Sequence, residues 1–313
     1  MTKHVIVGAG PVGSATARLL ADAGHEVHLV TRSGSGPDDP RIVRTALDAT
    51  DAAALTRTAT GADALYNCAN PAYHRWPIDW PPLAASLLTT AETTGAVLVT
   101  VSNLYGYGPL DHPMTEADPL ATTGTKGKVR AGMWHDALAA HDAGRVRATE
   151  ARASDFVGNG ANGHLDRVVP RVLAGKGARV LGDPDAPHSW TFVPDVARTL
   201  VALGADERAW GRPWHVPSNP PRSQREAITD LARAAGLAPV KVGAIPLWAL
   251  RAAGVFSPMM RELQETHYQF DRPFVLDSSA VTATFGLEAT PWDDVVAATV
   301  AWYRPDAGTQ LAA

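Results

Sequence analysis

A chain of 313 residues can form one large domain or two small ones, and a hydrophobic share of 45% is enough for a sizeable core. A net charge of −4 and a pI near 6.2 leave no basic stripe for nucleic acid, and no apolar run approaches the length of a membrane span. Cys68 is the only cysteine and reads as a small core residue; with no disulfide within one chain and no signal peptide before the first strand, the expected setting is cytoplasmic.

The opening HVIVGAGPVG predicts a strand around Val5 followed by a helix over Pro11 to Ala23. Between them Gly8, Gly10 and Gly13 have the G-x-G-x-x-G spacing of a dinucleotide-binding turn. Gly8 permits the tight turn, Gly10 lets a pyrophosphate approach the backbone, and Gly13 lets the helix pack close to the strand. Pro11 and Val12 open that helix, whose N-terminus offers N–H groups to phosphate. The second strand, around Val27, ends in Thr31, Arg32 and Ser33, where an NAD-binding chain usually carries an acid for the ribose 2′-hydroxyl. A guanidinium and two hydroxyls would bond a 2′-phosphate that a carboxylate repels, so NADP(H) is favoured over NAD(H). The alternative for Arg32 is a solvated loop cation.

Further strands are expected at Arg41 to Ala46, Ala64 to Asn67, Val97 to Val101 and Val146 to Arg152, with helices between them. Strand and helix in alternation predict an α/β fold, a doubly wound parallel Rossmann sheet, over residues 1–155. Beyond Ser154 the Gly-, Pro- and Trp-containing segments HSWTFV and RPWHVPSNPP, with helical runs from Arg222 and Val281, predict a smaller C-terminal α/β substrate lobe over 156–313. A return to the first domain is expected near 189–204, where SWTFVPDVARTLVAL reads as strand then helix.

These motifs fall in the order found in the extended short-chain dehydrogenase/reductases, the NAD-dependent epimerase/dehydratase family, and the resemblance spans nearly the whole chain. GAGPVG resembles the family's opening, LDATDAAAL its adenine-contacting segment, ADALYNCANP its strand-end loop beside the cofactor and VSNLYGYG its Ser-bearing strand; EARASDFVGNGA, TFVPDVARTLVAL and WHVPSNPP fit later landmarks. The resemblance implies that Asp48 accepts a hydrogen bond from the adenine amino group, a turn or cap role being the alternative, and that Asn67, Cys68 and Ala69 line the cofactor.

The family's chemistry rests on a Ser, a Tyr and a Lys, with Tyr-x-x-x-Lys at the start of a long helix. In PLATTGTKGKVRAGM, taking Lys126 as the family lysine puts Thr122 at the tyrosine position, and taking Lys128 puts Gly124 there. Aligning Tyr107-Gly108 with the YG of the serine motif puts Asn103 in place of the serine. The usual catalytic tyrosine is therefore missing, and hydride transfer to a carbonyl needs another proton donor. Tyr105 is the leading substitute, with Asn103 polarising the substrate oxygen and Lys126 holding the nicotinamide ribose; ordinary packing is the alternative for Tyr105.

The segment NCANPAYHRWPIDWPP places Tyr73, His74, Arg75, Trp76 and Trp80 past the fourth strand, as a loop expected to overhang the nicotinamide and to suit a flat or apolar substrate. His74 there could donate a proton near neutral pH, or the loop is a rigid lid without a chemical role. His112, His135, His141, His164, His188 and His215 are scattered and make no metal pattern, and hydrolase and kinase motifs are absent. Glu116 and Asp118 are expected to flank the entry to the long helix and Asp195 to cap a helix; His267, Tyr268, Phe270 and Phe274 read as substrate wall or core.

The expected function is an NADP(H)-dependent oxidoreductase, a reductase of a small, partly apolar metabolite. The alternatives are a non-catalytic NADP(H)-binding redox sensor or scaffold, and an NAD-dependent epimerase or dehydratase that recycles its hydride. The expected partner is a small-molecule substrate, not nucleic acid or membrane. The family often forms a homodimer through two long helices, and no stripe in this sequence decides that point.

Overall fold

Residues Val5, Ile6 and Val7 are all buried, but in alternating directions. Ile6 joins an apolar cluster with Leu29, Tyr66 and Val99, whereas Val5 and Val7 join a second with Leu65 and Leu98. Strands buried on both faces belong in a parallel sheet covered by helices on each side. The computed structural model describes residues 1–158, 160–161, 163–246, 248, 250, 255 and 262–304, and it has that form.

The strands are β1 (Lys3–Val7), β2 (Glu26–Thr31), β3 (Ile42–Ala46), β4 (Ala64–Asn67), β5 (Val97–Asn103), β6 (Ala148–Ala153), β7 (Asp155–Val157), β8 (Ala178–Leu181), β9 (Trp190–Phe192), β10 (Pro213–His215) and β11 (Val242–Ile245). Seven form the central sheet in the order β10-β6-β5-β4-β1-β2-β3, and every pairing in it is parallel. This is the doubly wound α/β sheet expected from the sequence; the short edge strand β10, from the RPWHVPSNPP segment expected in the substrate lobe, joins the central sheet beside β6 instead. The register places Val7 beside Val30 and Asn67, and Asn67 beside Thr100, so the carboxyl ends of β1, β2, β4 and β5 open on one edge. In such a sheet that edge is where ligands bind.

The helices α1 (Pro11–Asp22), α2 (Ala52–Ala59), α3 (Trp76–Thr94), α4 (Thr125–Asp142), α5 (Val169–Leu173), α6 (Val193–Ala205) and α7 (Gln224–Ala234) fill the connections. Helices α1 and α6 pack together on one face of the sheet, and α2, α3 and α4 cover the other. The helix of the 189–204 segment thus lies against the dinucleotide half, while its strand, β9, pairs with β7 outside the central sheet. A separate core of Val157, Val169, Ile228, Trp292 and Val296 joins α5, α7 and the helix Trp292–Tyr303. The start of α7 is fixed by a capping box, with Ser223 and Glu226 bonding each other's backbone.

The segment expected to overhang as a loop is mostly helical. Only Tyr73–Arg75 forms a short turn before α3 begins at Trp76. Pro77 suits the first turn, where its missing N–H has no helical partner to lose, and the buried Trp76 and Trp80 pin that end to the core.

Candidate functional site

The turn from β1 into α1 is shaped by contacts that exclude side chains. Gly8 has φ +103°, and a Cβ there would lie 2.7 Å from the Cys68 carbonyl oxygen; one on Gly13 would lie 1.9 Å from that of Gly8. Gly10 differs, since a Cβ on it meets nothing within 4 Å. Gly10 also stands at the N-cap of α1, with no side-chain cap and no acid in the first turn. An open backbone surface at an uncapped helix N-terminus fits a diphosphate.

A cleft of about 440 Å³ runs from Gly10, Pro11 and Val12 past Cys68 and Ala69 to the end of β5 and on to Asp155 and His164. Asn103 and Tyr105 line it as well. Of the other expected residues, Gly8 and Gly13 lie in the turn beneath, and Asn67 is buried, its Oδ1 accepting from the Ala69 N–H at 3.3 Å to shape the strand-end loop. The Cys68 thiol is pushed up to about 12 by burial, which makes it unreactive. Thr31, Arg32 and Ser33 follow one another at the end of β2, where Thr31 Oγ1 donates to the Ser35 carbonyl and Ser33 to the Ser35 hydroxyl, leaving Arg32 exposed. Asp48 accepts from the Thr50 N–H and hydroxyl at 3.0 and 2.8 Å, a turn ahead of α2; these bonds and the charge of Arg32 hold its carboxyl low.

Two expected catalytic residues lie elsewhere. His74 is exposed on the turn before α3 and does not line the cleft. Lys126 is 1% exposed, and its ammonium is held by Glu262 and by Glu265 at 3.2 Å rather than facing the cleft. The reason is a pair of carboxylates, Glu262 and Glu265, packed against the start of α4. Lys126 stands in the first turn of α4, where its own N–H donates to Glu265 Oε1 at 2.7 Å, so the carboxylate caps the helix and claims the side chain together. Four residues on, on the same helix face, Arg130 reaches the cleft. Its guanidinium donates to the Val101 carbonyl and, at 3.3 Å, to the Ser102 hydroxyl, and lies 4.8 Å from the Trp80 ring.

The Tyr105 hydroxyl lies 3.2 Å from that of Tyr73, and its ring stacks on Trp76 at 6.0 Å. Burial, then the neighbouring Tyr73, pushes its phenol well above the ordinary value. Asn103 Oδ1 accepts from the Tyr105 N–H at 3.1 Å. Tyr107 takes a different role: buried outside the cleft, it bridges Arg152 and His215 at 2.7 and 2.8 Å.

A cluster that sequence reading missed forms at the far end of the cleft. Asp155 Oδ2 lies 2.8 Å from His188 Nε2, and Oδ1 lies 4.0 Å from His164. His188 Nδ1 faces the Gln269 carbonyl at 3.2 Å, so both its ring nitrogens meet acceptors. Burial pushes the Asp155 carboxyl up, but the His188 bond and the charges of His164 and Arg167 outweigh it, and it ends below the ordinary range. Burial draws His164 down. Beside them, Ser154 Oγ is buried with no hydrogen-bond partner and lines the cleft. Among the described residues no group of His, Cys, Asp or Glu could hold a metal ion, and no helix is long and apolar enough to cross a membrane.

Away from the cleft, Asp195 stands in the first turn of α6 but is not its cap; its carboxylate accepts from Thr290 at 2.6 and 2.8 Å. Phe274 lines the cleft, whereas Phe270 stacks on His188 behind it.

The sequence profile of the NAD dependent epimerase/dehydratase family matches residues 4–215. Among solved structures, a dTDP-glucose 4,6-dehydratase from Streptomyces venezuelae with NAD bound is 22% identical, with a TM-score of 0.77 over 98% of each chain. A Bacillus anthracis dTDP-glucose 4,6-dehydratase in complex with NAD is 17% identical, with a TM-score of 0.78 over 97% of this chain and 96% of that one. A Thermotoga maritima UDP-glucose 4-epimerase with UDP-glucose is 16% identical, with a TM-score of 0.79 over 97% and 99%. At such identities the likeness is one of fold. No curated protein sequence matches the chain.

Proposed function

Because this chain belongs to the NAD-dependent epimerase/dehydratase family, we propose that it is an NADP(H)-dependent oxidoreductase acting as a reductase on a carbonyl in a small, partly apolar metabolite. The observation that carries the reading is the end of β2, where an exposed Arg32 stands between Thr31 and Ser33 with no carboxylate among them. A guanidinium there favours a 2′-phosphate. The uncapped start of α1 at Gly10, Pro11 and Val12 receives the pyrophosphate, with Cys68 and Ala69 along one wall.

A bound dinucleotide supplies the hydride. The chain supplies the proton and the fit. Tyr105 keeps its proton at neutral pH, since its phenol titrates well above 10, and a phenol still protonates an alkoxide, which is the stronger base. Asn103, its Oδ1 taken by the Tyr105 N–H, has its amide N–H groups left to polarise a carbonyl oxygen. His164, backed by Asp155, is the second proton-exchanging group facing the cleft. Trp76, Phe156 and Phe274 give the cleft apolar walls that suit a partly apolar substrate.

Titration of the purified protein with NADPH and NADH, followed by tryptophan quenching, tests the reading. NADPH should bind the more tightly, and Arg32→Ala should weaken it about tenfold to a hundredfold, the worth of one or two charge-assisted hydrogen bonds, while leaving NADH nearly unchanged. Equal loss for both would make Arg32 structural, and binding of neither would remove the oxidoreductase reading. Internal hydride recycling is the second reading, favoured by the similarity to dehydratases that hold NAD; NAD⁺ retained through purification is its signature.

A further inference from the structure

Three polar side chains at the far end of the cleft have hydrogen-bonding capacity that the fold does not fill. Asp155 is the first. Its side chain is 13% exposed and His188 takes its Oδ2 at 2.8 Å, but among the described residues the nearest partner of Oδ1 is His164 Nε2 at 4.0 Å, beyond hydrogen-bond reach. His164 makes no hydrogen bond among the described residues, and burial lowers its ring, which is therefore uncharged at neutral pH and offers one N–H and one lone pair. Ser154, one residue before Asp155, is 6% exposed, and its Oγ is buried without a partner among the described residues. All three line the cleft. Polar atoms left unpaired in the interior cost free energy, so a set of them converging on a cavity marks a place for a polar ligand atom.

We propose that Asp155, His164 and Ser154 form the seat of a substrate hydroxyl, so that the protein takes a hydroxylated carbonyl compound rather than a simple ketone. The proposal rests on the reductase reading above and deepens it by naming the substrate class. The 4.0 Å between Oδ1 and Nε2 fits one bridging oxygen. At an ordinary hydrogen-bond distance of about 2.8 Å from each, that oxygen sees the two atoms at an angle of roughly 90°, and a hydroxyl there donates to the carboxylate while accepting from the ring N–H. His188, bonded to the Gln269 carbonyl and stacked on Phe270, fixes the carboxylate from behind. An ammonium would also suit Asp155, but Arg167, exposed and lining the same cleft, opposes a cation, and the Asp155 charge opposes a phosphate. The uncharged hydroxyl meets neither objection. Trp76, Phe156 and Phe274 leave the rest of the cleft apolar, so the ligand they suit is polar at this end and apolar along its body.

The test uses the full chain and matched ketone pairs in which a hydroxyl replaces a terminal methyl: hydroxyacetone against butanone, and the same pair lengthened by one and by two methylenes. Binding is read from the imidazole NMR signal of His164, with and without NADPH, so the result does not depend on turnover. In at least one pair the hydroxyl member should bind about tenfold or more tightly, the worth of a hydrogen bond to a charged group. Asp155→Asn and Ser154→Ala should each bring that ratio down towards one. Ser154→Ala loses no side-chain hydrogen bond in the free protein, so it should also unfold at a higher urea concentration than wild type, and it decides the matter even if Asp155→Asn does not fold. A wild-type ratio near one in every pair, absence of binding by every probe, a ratio that survives Ser154→Ala, or a lower urea midpoint for that variant each overturns the proposal. Hydroxyl-dependent binding in a protein that does not bind NADPH overturns the cofactor reading instead, so the two failures are distinguishable.

Discussion

Gly10 and Gly13 stand three residues apart in one turn and are constrained in opposite ways. A methyl group on Gly13 would sit 1.9 Å from the Gly8 carbonyl oxygen, which is backbone, and 3.2 Å from the Cys68 Cβ, so Gly13→Ala should destabilise the fold by more than about 3 kcal/mol or prevent folding. A methyl group on Gly10 meets nothing within 4 Å. Gly10→Ala should therefore leave the urea midpoint almost unchanged and still weaken dinucleotide binding by tenfold or more, because the methyl occupies the approach of the pyrophosphate. A Gly10→Ala protein that binds as well as wild type would separate this turn from phosphate. Residues of this kind were legible from sequence because the steric demand is written in the identity of the residue itself. Asp155 and His188 were not, because each is an ordinary polar residue until the pairing of β7 with β9 brings them within 2.8 Å across 33 positions.

At the scale of elements, α4 shows why a spacing can be read correctly and assigned to the wrong residue. The sequence places a lysine near the start of a long helix, and the helix begins at Thr125, but its first turn is claimed by Glu265, which accepts from the Lys126 N–H and holds the ammonium with Glu262. The pair Lys126 and Arg130 has the four-residue separation of the family's Tyr-x-x-x-Lys, a signal present in KGKVR that placing the lysine on Lys126 or Lys128 does not use. Lys126 accordingly ties the dinucleotide half to the segment around Glu262, Leu263 and Gln269, two of which line the cleft. Lys126→Met should lower stability by about 2 kcal/mol, below the full penalty of a broken buried pair because the glutamate side chains are 27% exposed. Its affinity for the dinucleotide should stay within about threefold of wild type. A hundredfold loss of affinity at unchanged stability would return Lys126 to the cofactor.

For the whole molecule, buried histidines set the acid limit of stability. Burial, helped by the neighbouring His25, lowers His4 in β1 to about 4, and burial also lowers His164 at the cleft and His215 in β10. Each group titrates near 6.5 in the unfolded chain. Between that value and the lowered one the folded state binds fewer protons than the unfolded state, so stability falls as pH falls. The contribution is complete above about pH 6.5 and disappears on the way to pH 4, where Asp155, whose folded carboxyl titrates below its ordinary value, begins to withdraw its own support. Urea midpoints should thus be flat from pH 8 to 7 and decline steadily from 6.5 to 4.5. The three histidines lie on β1, at the substrate end of the cleft and on the sheet edge, and all are packed into the same folded unit, so the decline should be one cooperative transition seen equally by tryptophan fluorescence and far-UV circular dichroism. Midpoints that stay constant through this range, or two probes that part company, would show that these histidines are hydrated or that the two halves open separately.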